Sequence, residues 1–188
     1  MEQTEPRYLA YEFVRIPRGK TYRALIRHLA RFCPFISLAT WPYMLYMPSP
    51  HRQAILDALQ PDLVEAKKRS GGPGTIGRTD PDEKRAYAKD APTVYVYRLS
   101  PRSLEVITTV ANSLYSWEGP DYPDDFALLR ENWESCLVAL PADKLAWMYL
   151  TEQEKEELVS AVPVALRLSE DILEPPHRWW EGTEIEEE

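Results

Sequence analysis

The sequence is poor in cysteine, histidine and glycine, and it contains no long apolar run. Two cysteines among 188 residues exclude a disulfide scaffold, and three widely spaced histidines give no metal-ligand motif. No stretch approaches the ~18 apolar residues of a membrane span, and the N-terminus lacks the apolar core of a signal peptide. We therefore expect a cytoplasmic chain without a membrane segment, metal or cofactor, in which Cys33 and Cys136 are reduced and buried.

Charge is present in abundance but is unevenly distributed along the chain. Residues 118–188 contain five Lys or Arg against nineteen Asp or Glu, a net charge of −14, whereas residues 1–34 carry a net charge of +4. The whole chain carries −8. An acidic chain repels phosphate backbones at long range, which argues against general nucleic-acid binding. The acidic part of the chain indicates either a basic partner or docking onto the chain's own basic part.

Apolar and β-branched residues alternate between strand spacing and helix spacing. Residues 8–16 and 93–99 are typical of strands, and each is followed by an amphipathic helix, the first of them over residues 20–32. Residues 126–130 and 136–140 flank a polar turn and predict a hairpin. The order of these elements predicts an α+β fold: a small mixed sheet with helices packed on one face, two βα units followed by a hairpin.

Local signals give the helix starts and the domain limits. Ser49-Pro50 and Ser100-Pro101 each pair an N-cap with a proline at the first helical position, and Thr151 opens a capping box with Glu154. The helix after Ser49 is predicted to continue past a proline to about residue 69.

We expect a single domain over residues 1–173. It contains a flexible Gly-rich loop at about residues 70–92, and an acidic, weakly ordered tail follows over residues 174–188.

The Gly-rich loop supports a hypothesis of anion binding. Residues 72–79 have the spacing of a phosphate-binding P-loop, but Arg78 stands where lysine is required. A basic segment precedes the loop in place of a buried strand, and Asp-Pro-Asp follows it in place of a helix, which argues against nucleotide hydrolysis. The alternative function is therefore a small domain that holds a nucleotide or other anion with the first helix and this loop. Its candidate residues are Arg23, Arg27, Arg31, Lys67, Lys68 and Arg78.

The acidic half interleaves carboxylates with large aromatic side chains, and this pattern leads to the first hypothesis. Tryptophan and tyrosine are favoured at protein interfaces, although such rings also fill cores. Asp124 and Asp125 allow a catalytic carboxylate pair, but a turn and cap is the commoner role after a proline-rich segment. No nucleophile motif accompanies them, so catalysis ranks behind binding. We expect a non-enzymatic inhibitor, immunity-type or regulatory factor that binds a basic protein. The predicted contact residues are Asp124, Asp125, Glu131, Trp133 and Glu134.

Three segments carry the pattern of a known family. They are ARFCPFISL at residues 30–38, PGTIG at 73–77 leading into TVYVY, and SLYSWEGPDYPDDFALLRENWESCLVAL at 113–140 leading into YLTEQEKEEL. Together they resemble an uncharacterised bacterial family whose members are often labelled stage III sporulation protein AH-like. The resemblance covers most of residues 8–159 and implies a bacterial cytosolic protein of unknown role. The family's His-Glu pair after the last hairpin is replaced here by LPADK, so no role of that histidine transfers.

Overall fold

The strands form one open, eight-stranded sheet. The computed structural model describes residues 7–68 and 91–169. The strands are β1 Leu9–Phe13, β2 Phe35–Thr40, β3 Leu63–Lys68, β4 Thr93–Arg98, β5 Asp124–Leu129, β6 Ser135–Leu140, β7 Leu145–Leu150 and β8 Leu166–Leu168. Their order across the sheet is β3-β4-β2-β5-β6-β7-β1-β8, and each of the seven pairings is antiparallel.

The described residues include four α-helices, which pack beside one another on one face of this sheet. Their contacts place them in the order α2, α3, α1, α4. This arrangement confirms the predicted α+β class, and the sheet also contains the predicted hairpin as β5 and β6. In the described part of the chain, no helix is long and apolar enough to cross a membrane. The helices are α1 Gly19–Leu29, α2 Pro50–Leu59, α3 Pro101–Val110 and α4 Glu152–Ala161.

The predicted helix starts are confirmed at α2, α3 and α4. Ser49 Oγ accepts a hydrogen bond from the backbone N–H of Arg52 at 3.3 Å, with proline at the first helical position. Ser100 caps α3 in the same way. Thr151 and Glu154 form the reciprocal capping box of α4, with the Thr151 N–H donating to Glu154 Oε2 at 2.8 Å. Each cap satisfies N–H groups that the first helical turn leaves without partners.

One predicted element is wrong. The helix after Ser49 was expected to continue to about residue 69, but it ends at Leu59, and Leu63–Lys68 is strand β3. Glu65, Ala66 and Lys67 favour helix in isolation, but here they pair with β4 at the edge of the sheet. Tertiary pairing therefore overrides a weak local preference. Most of the expected Gly-rich loop and the whole expected acidic tail lie outside the described residues.

The core between helices and sheet includes the largest buried aromatic side chains. Trp117 and Tyr22 are fully buried. Trp117 Nε1 donates to the Tyr22 hydroxyl at 3.0 Å, and that hydroxyl donates to the Ile107 carbonyl at 3.2 Å. The chain thus satisfies the polar ends of two core aromatics, as burial requires. Cys33 and Cys136 are buried in the same core, as predicted.

Candidate functional site

A cluster of carboxylates lies where β5 begins. Asp124 Oδ1 accepts the Gly119 N–H at 2.6 Å, and Asp124 Oδ2 accepts the Tyr43 hydroxyl at 2.8 Å. Asp125 Oδ2 accepts Trp41 Nε1 at 3.2 Å. Three further carboxylates belong to this group, because two act on it electrostatically and the third accepts a hydrogen bond from the cap of α2. We call the five residues the acidic corner: Glu118, Asp121, Asp124, Asp125 and Asp143.

An exposed apolar segment borders the acidic corner. Residues 41–47, here called the aromatic segment, connect β2 to α2 and include a short 3₁₀ helix. Leu45 is 80% exposed and Tyr46 is 87% exposed. Tyr43 and Met47 are also exposed, whereas Met44 is buried beneath them. The segment therefore presents four large apolar side chains to solvent beside the carboxylates.

A buried arginine fixes the aromatic segment in place. The Arg52 guanidinium donates to the carbonyls of Met44 at 2.9 Å and Met47 at 3.1 Å. It also donates to the Pro120 carbonyl, on the loop that precedes β5. Ser49, the cap of the same helix, donates to Asp121 Oδ1 at 3.0 Å. The first turn of α2 thus ties both parts of the site together through polar contacts.

Gly119 permits the close approach of the two parts. A Cβ atom added to Gly119 would lie 2.5 Å from Met44 Cε and 2.9 Å from the Tyr43 hydroxyl oxygen. Real Cβ atoms essentially never approach other atoms this closely. A side chain at this position would have to push aside the ends of the Met44 and Tyr43 side chains, and with the latter the hydrogen bond from Tyr43 to Asp124. Glycine at this position therefore leaves room for that contact.

Asp124 is a buried carboxylate whose two oxygens both have donors. Burial raises the pKa of Asp124, while the hydrogen bonds from Tyr43 and Gly119 act in the opposite direction. The pKa of the Tyr43 hydroxyl is raised by burial and by its contact with Asp124. The carboxylate of Asp124 is therefore the part of the site that positions the Tyr43 side chain and the loop at Gly119.

Asp125 has fewer hydrogen-bond partners than Asp124, and both its backbone conformation and its burial are unfavourable for an ionised carboxylate. Its φ angle is +54°, and the β2–β5 register shift leaves one extra residue in β5 at this position. Aspartate tolerates this left-handed conformation better than most residues, and a bulge of this kind redirects a side chain. Burial, and then the neighbouring charge of Asp124, raises the pKa of Asp125 to about 7.

Within residues 7–68 and 91–169, no lysine or arginine forms an ion pair with any carboxylate of the acidic corner. The nearest guanidinium, that of Arg52, is committed to three backbone carbonyls. The same part of the chain contains no cluster of side chains that could hold a metal ion. The Arg52 charge still lowers the pKa of Asp124, so it offsets part of the negative charge without forming an ion pair. The site therefore combines carboxylates that lack an ion-pair partner in these residues with exposed apolar surface.

The predicted partner-binding residues do not form one patch. Asp124 and Asp125 start β5, whereas Glu131, Trp133 and Glu134 lie in the turn after it, about 20 Å away along a six-residue strand. Glu131 is exposed, but Glu134 is buried, and the half-buried Trp133 ring packs on Phe35 at a centroid distance of 5.7 Å. The structure thus divides this set into two groups, one at each end of β5, and only the two aspartates belong to the acidic corner.

The candidate anion-binding residues are also dispersed in the described part of the chain. Arg23, Arg27 and Arg31 lie on or just after α1, and Arg27 is 3.7 Å from the Glu105 carboxylate of α3. Lys67 and Lys68 lie on the edge strand β3, where Lys67 pairs with Glu65 at 3.0 Å. Helices α3 and α2 separate α1 from the β3 edge, given the order of the helix layer. Arg78 lies outside the described residues.

Comparison with known proteins assigns neither a family nor a function to this chain. No family model matches the chain, and neither a curated protein nor a solved structure is significantly similar to it. The resemblance to the sporulation-labelled family therefore stays a prediction. The site has to be interpreted from its own geometry.

Sequence reasoning missed the aromatic segment and the role of Arg52. The sequence pattern that corresponds to the aromatic segment is WPYMLYMP, in which two prolines enclose five large apolar residues directly before the cap of α2. Such a run is too short and too crowded with aromatics for a helix, and it matches no strand alternation. Its proximity to Asp124 depends on β2 pairing with β5, which are more than 80 positions apart.

Proposed function

We propose that this protein is a non-enzymatic interaction protein that binds a basic protein partner through the acidic corner and the aromatic segment. One observation carries the proposal: Leu45 and Tyr46 are held almost fully exposed on a segment that the buried Arg52 fixes. A contiguous exposed apolar patch with a polar rim is typical of a protein–protein interface. An inhibitor, immunity-type or regulatory role is the class of function that such a surface serves.

The charge of the site supports a basic partner. The five carboxylates form no ion pair within the described residues, and such a group attracts lysine and arginine side chains and accelerates association with them. Exposed tyrosine, leucine and methionine then supply the apolar contact area that holds a complex together. The partner would therefore present basic side chains next to an apolar group.

The experiment compares two double variants in a pull-down from the native host lysate. Leu45→Ser with Tyr46→Ser removes apolar surface at the site, while Val14→Ser with Leu168→Ser removes similarly exposed apolar side chains elsewhere. We expect the wild type and the Val14/Leu168 variant to recover the same protein, and the Leu45/Tyr46 variant to lose it. A third variant, Asp121→Lys, should slow association with the recovered protein, and the wild-type rate should fall with salt.

Equal recovery by all variants would contradict the proposal, since it would place the contact outside this surface. The anion-binding alternative makes a different prediction. It would be favoured if phosphate or a nucleotide raised the melting temperature of the wild type by several degrees and the Leu45/Tyr46 variant responded equally.

A further inference from the structure

A row of cationic side chains follows one side of helix α1 and the turn that ends it. Its members are three or four residues apart, so they are neighbours on the helix surface over a length of about 16 Å. Three of the four are exposed, and Arg23 is half-buried. We call this row the α1 stripe: Lys20, Arg23, Arg27 and Arg31.

The α1 stripe carries more positive charge than the neighbouring helices neutralise. Arg27 lies 3.7 Å from the Glu105 carboxylate of α3, and both side chains are more than half exposed, so this ion pair is weak. On the other neighbouring helix, Glu157 acts on His28 of α1. The other three cations of the stripe form no ion pair with any carboxylate of the described residues.

Within one copy of the chain, the α1 stripe and the acidic corner do not meet. Helix α3 lies between α1 and α2, whereas α2 begins at the acidic corner, where its cap Ser49 donates to Asp121. None of the ion pairs in residues 7–68 and 91–169 joins the two surfaces. The docking of the acidic part onto the chain's own basic part, which the sequence allowed, is therefore not made between these two surfaces. Both surfaces are available for contact between molecules.

We propose that a second copy of this chain is the basic partner, and that its α1 stripe binds the acidic corner and the aromatic segment of the first copy. This inference rests on the proposed function and names the partner of the same site. Residues 7–68 contain ten Lys or Arg against four Asp or Glu, whereas residues 91–169 contain six against twelve, which gives net charges of +6 and −6. Two copies therefore attract each other when the basic range of one faces the acidic range of the other.

The proposed contact joins two unlike surfaces. Two acidic corners would place carboxylates against carboxylates, which disfavours pairing of the corner with itself. The α1 stripe instead brings guanidinium groups, which bind carboxylates through two parallel hydrogen bonds. Guanidinium planes also stack on tyrosine rings, and arginine stems pack on apolar side chains. Tyr46 and Leu45, beside the acidic corner, are exposed and suit these contacts.

The test is sedimentation velocity of the purified full chain at rising protein concentration. We expect the wild type to self-associate at about 0.05 M salt and to be monomeric at about 1 M salt. Arg23→Glu with Arg31→Glu reverses the stripe, and Glu118→Lys with Asp143→Lys reverses the corner. Each variant alone should associate about tenfold more weakly than the wild type, or weaker still. An equimolar mixture of the two variants should associate again, because the intact corner of one meets the intact stripe of the other.

Arg7→Glu with Arg98→Glu is the matched control for the stripe variant. It changes the net charge by the same amount at two exposed arginines outside the stripe, and it should associate as the wild type does. Weakened association of this control to the level of the stripe variant would contradict the inference, since net charge alone would then explain the effect.

Two further outcomes would overturn the inference: a wild type that stays monomeric at low salt, and a mixture of the two variants that does not associate. Neither outcome contradicts the proposed function, because the corner would then bind a different protein. The proposed function fails on a separate result, which is equal recovery of a protein by all variants in the pull-down.

Discussion

Both ends of strand β5 carry buried charge, but only the charge at the C-terminal end has an ion-pair partner in the described part of the chain. At the C-terminal end, Arg130 forms a two-pronged ion pair with Glu154 at 2.7 and 2.9 Å, and its Nη2 also donates to the Tyr149 carbonyl at 3.0 Å. The guanidinium lies over the Tyr8 ring at 4.2 Å. At the N-terminal end, Asp124 and Asp125 meet further carboxylates and no pairing cation in the described part of the chain.

The difference separates a structural charge from one that is available for binding. Arg130 joins β5 to the cap of α4, and its charge is compensated inside the molecule. The charge of Asp125 is not compensated, and its raised pKa shows that the folded protein disfavours the ionised form. A fold tolerates such a group when it serves another purpose, and perturbed carboxylates are concentrated at functional sites.

The largest effect is expected at the compensated end. Arg130→Ala should lower the free energy of unfolding by about 3–5 kcal/mol, because it leaves the Glu154 carboxylate without its buried partner. Arg130→Lys should restore little of this loss, since an ammonium cannot reproduce the two parallel hydrogen bonds. Urea unfolding of both variants measures the effect. A loss below 1 kcal/mol in Arg130→Ala would show that this end is no better compensated than the other.

At the uncompensated end, Asp125→Asn should stabilise the protein. The pKa of Asp125 in the folded protein is about 7, whereas the ordinary value is 3.8. At a pH between these two values, the folded protein therefore keeps Asp125 protonated while the unfolded chain ionises it. Ionisation therefore lowers the free energy of unfolding as the pH rises from about 4 to about 7. The variant should gain about 2 kcal/mol at pH 8 and little at pH 4. Asp57→Asn, on the exposed face of α2, is the control; equal gains in both variants would contradict the explanation.

The neighbouring substitution Asp124→Asn should act in the opposite direction. Both carboxylate oxygens of Asp124 accept hydrogen bonds, so the amide group of asparagine would face a donor with another donor. We expect a loss of about 1–2 kcal/mol at pH 8, measured by urea unfolding beside Asp125→Asn. If both substitutions changed the free energy of unfolding in the same direction, the adjacent aspartates would not have separate roles.

The smallest effect is expected in the aromatic segment. Tyr46→Ser should change the free energy of unfolding by less than about 0.5 kcal/mol, because the side chain is 87% exposed. The same substitution should weaken partner binding at least tenfold. Thermal unfolding and a binding titration with the recovered partner measure the two values. A destabilised protein would indicate that Tyr46 contributes to folding rather than to recognition.

The elements that local chemistry determines could be predicted from the sequence. The caps at Ser49, Ser100 and Thr151 depend on residues within one helical turn, and each was confirmed. The hairpin of β5 and β6 depends on a short turn between two apolar runs. Strand β3 could not be predicted, because its partner β4 follows after a long connection and only that pairing outweighs its helix-forming residues.

The candidate site was only partly predictable for a similar reason. The sequence singled out Asp124 and Asp125, but their environment comes from Tyr43 and Trp41, more than 80 positions away. Burial also keeps large aromatic side chains next to or within the acidic part of the chain, such as Trp117 and Trp147, away from the surface. Composition indicates that acidic and aromatic residues are abundant, while the fold decides which of them meet.

The ionisation of Asp125 in the free protein tests the central claim most directly. Carbon-13 NMR of the aspartate carboxyl groups, recorded from pH 3 to pH 9, gives the titration midpoint of each residue. We expect a midpoint near 7 for Asp125 and a lower one when a basic partner is bound, because a cation favours the ionised form. A midpoint near 4 in the free protein would contradict the account, since the two ends of β5 would then not differ in how their charge is compensated.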